Sequence, residues 1–210
     1  MAKFTGFHHV AMATGDLDRT IRFWRDLVGL KLAAGLGRPG GRQYFFEIAP
    51  DSFLGFFEWP QVRPVEEKDH GYPFKGPLVF DHLAIGVASE EDLWELRDRL
   101  EAAGFWVSEP IDHAFIHSIY SFDPNGIAIE FSHKSADLDL HEHPRLVDRQ
   151  PTPVSREGLG PQPGHWPAVK DPTSPVDRKV YPGEGLALLE AADPPASPSR
   201  PTAGQGRAPG

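Results

Sequence analysis

Two histidines and two glutamates recur at matching places in two halves of the 210-residue chain. His9 lies in Phe7-His8-His9-Val10-Ala11-Met12, and His82 lies in Phe80-Asp81-His82-Leu83-Ala84-Ile85. Glu58 follows His9 by 49 residues, and Glu130 follows His82 by 48. Neutral imidazole and carboxylate are the usual ligands of a catalytic divalent ion. One His and one Glu from each half can close four ligands around one ion. The expectation is a metal centre of His9, Glu58, His82 and Glu130. A lone strand histidine is more often packed or solvated than a ligand. Two at matching repeat positions, each followed by a glutamate, reverse that weighting. Glu58 alone also reads as a strand-end residue facing water before Trp59-Pro60. His8 points to the opposite face of the strand from His9 and is left out. His113 and His117 read as pocket-wall or surface residues, and His141-Glu142-His143 as a solvated tract.

The elements that must position these residues also repeat. At an offset of 73 residues, Phe7, His9 and Ala11 match Phe80, His82 and Ala84. Each strand-like start leads into a run with helical spacing, apolar at 17, 20/21, 24 and 27/28 and again at 93, 96 and 100. Asp16 and Ser89 can cap the helix starts, and Gly29 and Gly104 suit their ends. Short β-rich runs follow, at about 42–48 and 53–59 in the first half and 105–108, 116–122 and 127–132 in the second. Asp123-Pro124-Asn125-Gly126 reads as the tight turn between the last two. Each half is a β-α-β-β-β unit, so the fold class is α+β. The sequence predicts module one at 4–60, a linker at 61–79 and module two at 80–135. The aromatic residues Phe45, Phe57, Trp59, Phe115 and Phe122 read as core or pocket wall, and Trp24 and Trp94 as packing.

Composition fits a globular enzyme with 40% hydrophobic residues. No apolar run approaches the ~20 residues a membrane helix needs. The chain has no cysteine, which excludes disulfides and thiolate chemistry. Its net charge of −9 argues against a nucleic-acid partner. The start, Met-Ala-Lys-Phe-Thr-Gly, lacks the apolar stretch of a signal peptide, so the expected location is the cytoplasm. Thirteen of the 22 prolines fall in residues 151–210. Such composition buries little apolar surface, and 136–210 reads as a Pro-rich extension, partly disordered, and fully so from about 194. Within it Trp166 is expected to dock on the domain, and 185–192 to form one short helix.

On these residues the chain from about 4 to 135 resembles the vicinal oxygen chelate superfamily of glyoxalases, bleomycin- and fosfomycin-resistance proteins and extradiol dioxygenases. The resemblance rests on the repeated His-apolar-Ala starts, on Phe56-Phe57-Glu58-Trp59, and on Asp-Pro-Asn-Gly followed by Glu130. It implies paired modules forming a cupped mixed sheet around one divalent ion (Fe, Mn, Ni, Co or Zn). It implies a small-molecule substrate and a homodimer, with the site formed within one chain or across two.

The order His, Glu, His, Glu is similar to that of glyoxalase I. That resemblance implies Lewis-acid lyase or isomerase chemistry on a substrate with two neighbouring oxygens, with Glu130 or Glu58 moving the proton. Ala13 and Val62 stand where glutathione-using members carry Arg and Asn, which implies a substrate that is not a glutathione adduct. The alternative is an Fe(II) or Mn(II) ring-cleavage dioxygenase, with His9, His82 and Glu130 as its triad and Tyr120 beside the substrate. In that reading the histidine such enzymes use near the end of module one is missing, and Glu58 stands in the region. A metal-free, antibiotic-binding resistance protein is the third reading, and the four retained ligand positions weigh against it.

Overall fold

Each half opens on a strand whose alternate residues are apolar, and that alternation decides which side chains meet the core. The computed structural model describes residues 3, 5–38, 40–73, 75, 80–144 and 146–190. Module one runs β1 (His9–Thr14), α1 (Leu17–Ile21), β2 (Lys31–Arg38), β3 (Gly41–Ala49) and β4 (Ser52–Glu58). Module two runs β5 (Leu83–Val87), α2 (Glu90–Ala102), β6 (Ile111–Asp112), β7 (Ile116–Phe122) and β8 (Ala128–Lys134). Each makes a four-stranded mixed sheet of the same order, β1-β4-β3-β2 and β5-β8-β7-β6. β1 and β5 are edge strands, each parallel to the last strand of its own module. These are the two βαβββ modules that the repeat predicts.

The caps follow the sequence. The Asp16 side chain accepts from the Arg19 N–H, and the Ser89 side chain from the Asp92 N–H. Gly29 and Gly104 adopt φ of +98° and +81°, the left-handed conformation that ends a helix. The first helix differs from expectation beyond Ile21, because Arg22–Leu27 is π-helical. That wider turn carries Phe23 and Trp24, both buried, into the core. β2 was absent from the strands read in the sequence. Its Ala33-Ala34-Gly35-Leu36-Gly37 stretch has low strand propensity, and a bulge at Leu32/Ala34 interrupts its register with β3. The expected strand at 105–108 is only an isolated bridge, Val107 with Ser121.

One apolar core runs through both modules. It joins Leu17, Trp24, Phe46, Leu54 and Phe56 to Leu93, Leu100, Ile119, Ile129 and Phe131. Each large side chain buried in such a core contributes roughly 1.5–3 kcal/mol. The modules are also tied by polar bonds at the Asp123-Pro124-Asn125-Gly126 turn. Asp123 accepts from the N–H groups of Asn125 (2.8 Å) and Ile127 (3.0 Å), from Asn125 Nδ2 (2.9 Å) and from Trp24 Nε1 (3.3 Å). Burial raises the pKa of this carboxyl, while these donors pull it back. Replacing Asp123 with alanine strands several buried donors. The expected loss is about 2–4 kcal/mol of unfolding free energy in a urea titration, larger than for a surface Asp→Ala control.

The segment between the modules is not a loose linker. The Val65 N–H donates to the Asn125 carbonyl at 2.8 Å. Gly126 has φ of +77°, and a Cβ there would clash with the Val65 carbonyl oxygen. Gly15 likewise has no room for a Cβ against the Val62 carbonyl. Residues 62–71 are therefore a strap fitted to both modules.

Beyond β8 the chain forms short 3-10 turns at Ser155–Glu157 and Pro175–Asp177. Trp166, expected to dock, is 87% exposed. The described residues from 180 on belong to a separate unit, whose α3 (Ala187–Glu190) agrees with the short helix expected there. The stretch expected to be disordered from about 194 lies outside the described residues. Among the described residues no helix is long and apolar enough to cross a membrane.

Candidate metal centre

Strand alternation aims His82 and Glu130 at one point. On β8, Ile129 and Phe131 enter the core, so Glu130 between them faces the other side of the sheet. Glu130 lies opposite Ala84, two residues beyond His82. His82 Nε2 comes to 2.7 Å from Glu130 Oε2. The second ring nitrogen, Nδ1, lies 2.7 Å from Asp81 Oδ1. Asp81 also accepts from Lys68 Nζ at 2.5 Å and from the Gly71 N–H at 2.9 Å. The Lys68 ammonium, the His82 ring and that N–H hold its carboxyl well below the usual carboxylate range.

Aromatic and imidazole rings crowd this pair. Tyr120 lies directly opposite Glu130 on β7. Its hydroxyl is 3.0 Å from His113 Nε2. Burial, then the Glu130 charge, raises its pKa. His70, part of the linker that the sequence predicts, arrives on the strap. Its ring centroid is 5.7 Å from that of His82 and 4.8 Å from that of Tyr120. His70 Nε2 lies 3.1 Å from the carbonyl oxygens of both Ser121 and Ile129. Carbonyls only accept, so Nε2 carries the proton and Nδ1 keeps its lone pair. Burial lowers the His70 pKa. Only the fold could reveal this histidine, because its neighbours in sequence carry no strand or helix signal.

Module one supplies a different half. His9 is exposed, 2.8 Å from His8 through their Nδ1 atoms and edge-on to Phe45 at 5.9 Å. Glu58 does not join it. β1 and β4 are parallel, with His9 opposite Phe53 and Glu58 opposite Thr14. Glu58 therefore lies five residues further along the strands, about 16 Å at ~3.3 Å per residue. An odd separation also puts the two side chains on opposite faces. Glu58 instead faces the helix, where Oε1 accepts the Leu17 N–H at 3.1 Å and Oε2 pairs with Arg42 at 3.0 Å. It serves as a second cap of α1. The register gives the true counterpart of Glu130. Glu130 is opposite Ala84 and Gly55 is opposite Ala11, so glycine stands where the fourth ligand was expected. Phe45 fills that space, 3.1 Å from where a Gly55 Cβ would be.

The described residues bring together His82 and Glu130 of the four expected ligands, with Tyr120 beside them. Among them no three His, Asp or Glu donors gather around one point. His9 stands apart from the pair within one chain.

The donor set fits a divalent ion nonetheless. Glu130 is 3% exposed, and its Oε1 is buried with no hydrogen-bond partner. Nε2 and Oε2 lie 2.7 Å apart, close enough for both to turn to the same ion. A cleft of about 630 Å³ opens nearby, between β1 (Val10, Met12), the strap (Val62, Val65) and Phe80 and Ile127 of module two. Asp81 and Lys68 also line it.

Comparison with known proteins agrees with this architecture. Residues 6–131 match the family model described as Glyoxalase/Bleomycin resistance protein/Dioxygenase superfamily. A Vibrio parahaemolyticus protein named "Probable lactoylglutathione lyase" is 29% identical, over 63% of this chain and 94% of the relative. "Glutathione transferase FosA" of Serratia marcescens is 31% identical, over 59% of this chain and 77% of the relative. The fold is shared with the crystal structure of a glyoxylase/bleomycin resistance protein/dioxygenase domain from Frankia sp. That domain has a TM-score of 0.53 at 21% identity, covering 67% of this chain and all of that one. The chain belongs to the glyoxalase/bleomycin resistance protein/dioxygenase superfamily and is an enzyme of that superfamily.

Proposed function

We propose that this enzyme holds one divalent ion (Fe, Mn, Ni, Co or Zn) with His82 and Glu130 of one copy and His9 of a second copy. It acts by glyoxalase-type Lewis-acid chemistry on a small molecule with two neighbouring oxygens. The observation that carries the reading is the His82–Glu130 pair at 2.7 Å with the second carboxylate oxygen buried and unpartnered. The ion, when bound, supplies Lewis-acid polarisation of a substrate oxygen. Three protein ligands leave room for both substrate oxygens.

The chain's own residues do the rest. Asp81 keeps a proton on His82 Nδ1, so that Nε2 presents its lone pair. The His70 Nδ1 lone pair can take a proton from a substrate carbon or hydroxyl. Tyr120 retains its hydroxyl proton and can donate to a developing oxyanion. The buried Phe122 ring packed on His70 shields that side from water. Glutathione in the names of the relatives makes a glutathione-linked substrate one candidate. Ala13 and Val62, both lining the cleft, argue for a more apolar one.

A second reading, ring-cleavage dioxygenase, gains from two observations. Glu58 lies away from His9, which leaves a set of two histidines and one carboxylate. A histidine, His70, stands beside His82 and Tyr120 after all. The test reconstitutes the protein separately with Zn(II), Co(II), Ni(II), Mn(II) and Fe(II). It is offered 2-oxoaldehydes with and without glutathione, and catechols. Anaerobic turnover with Zn(II) or Ni(II) is the expected result. Oxygen uptake with a catechol, confined to Fe(II) or Mn(II), would give the function to the second reading.

A further inference from the structure

We infer that Asp81 is a positioning residue that binds the metal-ligand half-site and the 68–71 strap into one unit. It orients His82 toward the ion and holds His70 over the site. The inference rests on the metal reading above and goes further, by assigning a role to a residue outside the ligand set.

The geometry is specific. One oxygen of Asp81, Oδ1, faces His82 Nδ1 at 2.7 Å and the Gly71 N–H at 2.9 Å. The other, Oδ2, takes Lys68 Nζ at 2.5 Å. Lys68 and Gly71 flank His70, so the carboxylate grips the strap on both sides of that ring. A neutral imidazole has two tautomers, and only the one with Nδ1–H leaves Nε2 free for a metal. A carboxylate accepting from Nδ1 selects it, fixes the ring plane and raises the basicity of Nε2. The two functions share one carboxylate, since the atom that selects the tautomer also anchors Gly71. The placing of His70 beside His82 and Tyr120 therefore depends on the same carboxylate that aligns His82.

Three variants separate the parts. Asp81→Ala removes both functions. Asp81→Asn keeps an oxygen for His82 Nδ1 and loses the charge that holds Lys68. Lys68→Met frees one side of the strap and leaves the Asp81–His82 bond intact. Co(II) and Zn(II) affinity is measured by calorimetry on protein shown folded by circular dichroism. The coordinating nitrogen of His82 is read by long-range 1H–15N NMR of the Zn(II) form. Strap protection is read by hydrogen exchange over 66–73.

Asp81→Ala should weaken metal binding by about 10–100-fold, the usual effect of losing such a partner. Its His82 should show mixed Nδ1 and Nε2 coordination, and its strap should exchange faster. Asp81→Asn should recover pure Nε2 coordination but only part of the strap protection, because it keeps the Gly71 bond and loses Lys68. Lys68→Met should loosen the strap while keeping affinity within about threefold, well short of the ligand-partner loss. Unchanged affinity and pure Nε2 coordination in folded Asp81→Ala overturns the inference. So does a Lys68→Met protein that loses as much affinity as Asp81→Ala, because charge on the strap would then be the cause. His82→Ala and Glu130→Gln run alongside. If these two bind metal like the parent protein, the metal reading itself fails. If they lose metal and Asp81→Ala does not, only the positioning role fails.

Discussion

Glu130→Gln is expected to lower divalent-metal affinity by more than about 100-fold, because removing a ligand costs more than removing a partner of a ligand. The same change should leave the metal-free protein as stable as the parent or stabilise it by up to about 2 kcal/mol. The reason is burial. Glu130 is 3% exposed, and one of its oxygens has no partner. A buried acceptor in that state is a stored penalty, tolerated where a ligand will relieve it. Glutamine keeps the size and removes the charge. Thermal melts with and without metal read both effects at once. The parent should gain stability with saturating ion, and Glu130→Gln should not. A Glu130→Gln protein that is strongly destabilised when metal-free would mean that Glu130 is a structural partner of His82, and the metal reading would fail.

Glu58→Ala should do the opposite. It removes an acceptor for the Leu17 N–H and the partner of Arg42, and it touches neither His9 nor Glu130. Loss of a helix-start cap costs about 1 kcal/mol, with metal binding retained. The contrast between two glutamates that look equivalent in the sequence is the sharpest check on the register of β1 and β4.

That contrast also shows where the sequence stopped being legible. Both N-caps and the Asp-Pro-Asn-Gly turn could be read because each depends on a few neighbouring residues. The pairing of Glu58 with His9 depended on an interval that crosses a helix, two further strands and their loops. Such an interval carries no information about which face of a strand its end points occupy. In a strand one residue of slip exchanges faces, so near-equal spacings of 49 and 48 left that pairing undetermined. Gly55, the real counterpart of Glu130, was invisible because a glycine advertises no chemistry. His70 was hidden for another reason. A strap with no periodicity reads as connection, and only Val65, Lys68 and Gly71 binding module two make it part of a site.

The separation of His9 from His82 and Glu130 leads to the other large effect. If one site takes His9 from one copy and the His82–Glu130 pair from another, each half can be disabled in a different chain. His9→Ala alone and Glu130→Ala alone should each be inactive. Mixed, unfolded and refolded together in equal amounts, they should regain about one quarter of the parent activity. Random pairing makes half of the dimers mixed, and in each mixed dimer one of two shared sites is intact while the other carries both changes. Metal stoichiometry should recover by the same fraction. Restored activity cannot arise if His9 and Glu130 must come from one chain, because no chain in the mixture has both. A mixture that stays inactive, although light scattering shows dimers, would show that the ligands are drawn together within one chain by movement of the modules. β1, which carries His9, and β5, which His82 immediately precedes, are both edge strands, and among the described residues each has one side without a sheet partner, open to pairing with a second copy.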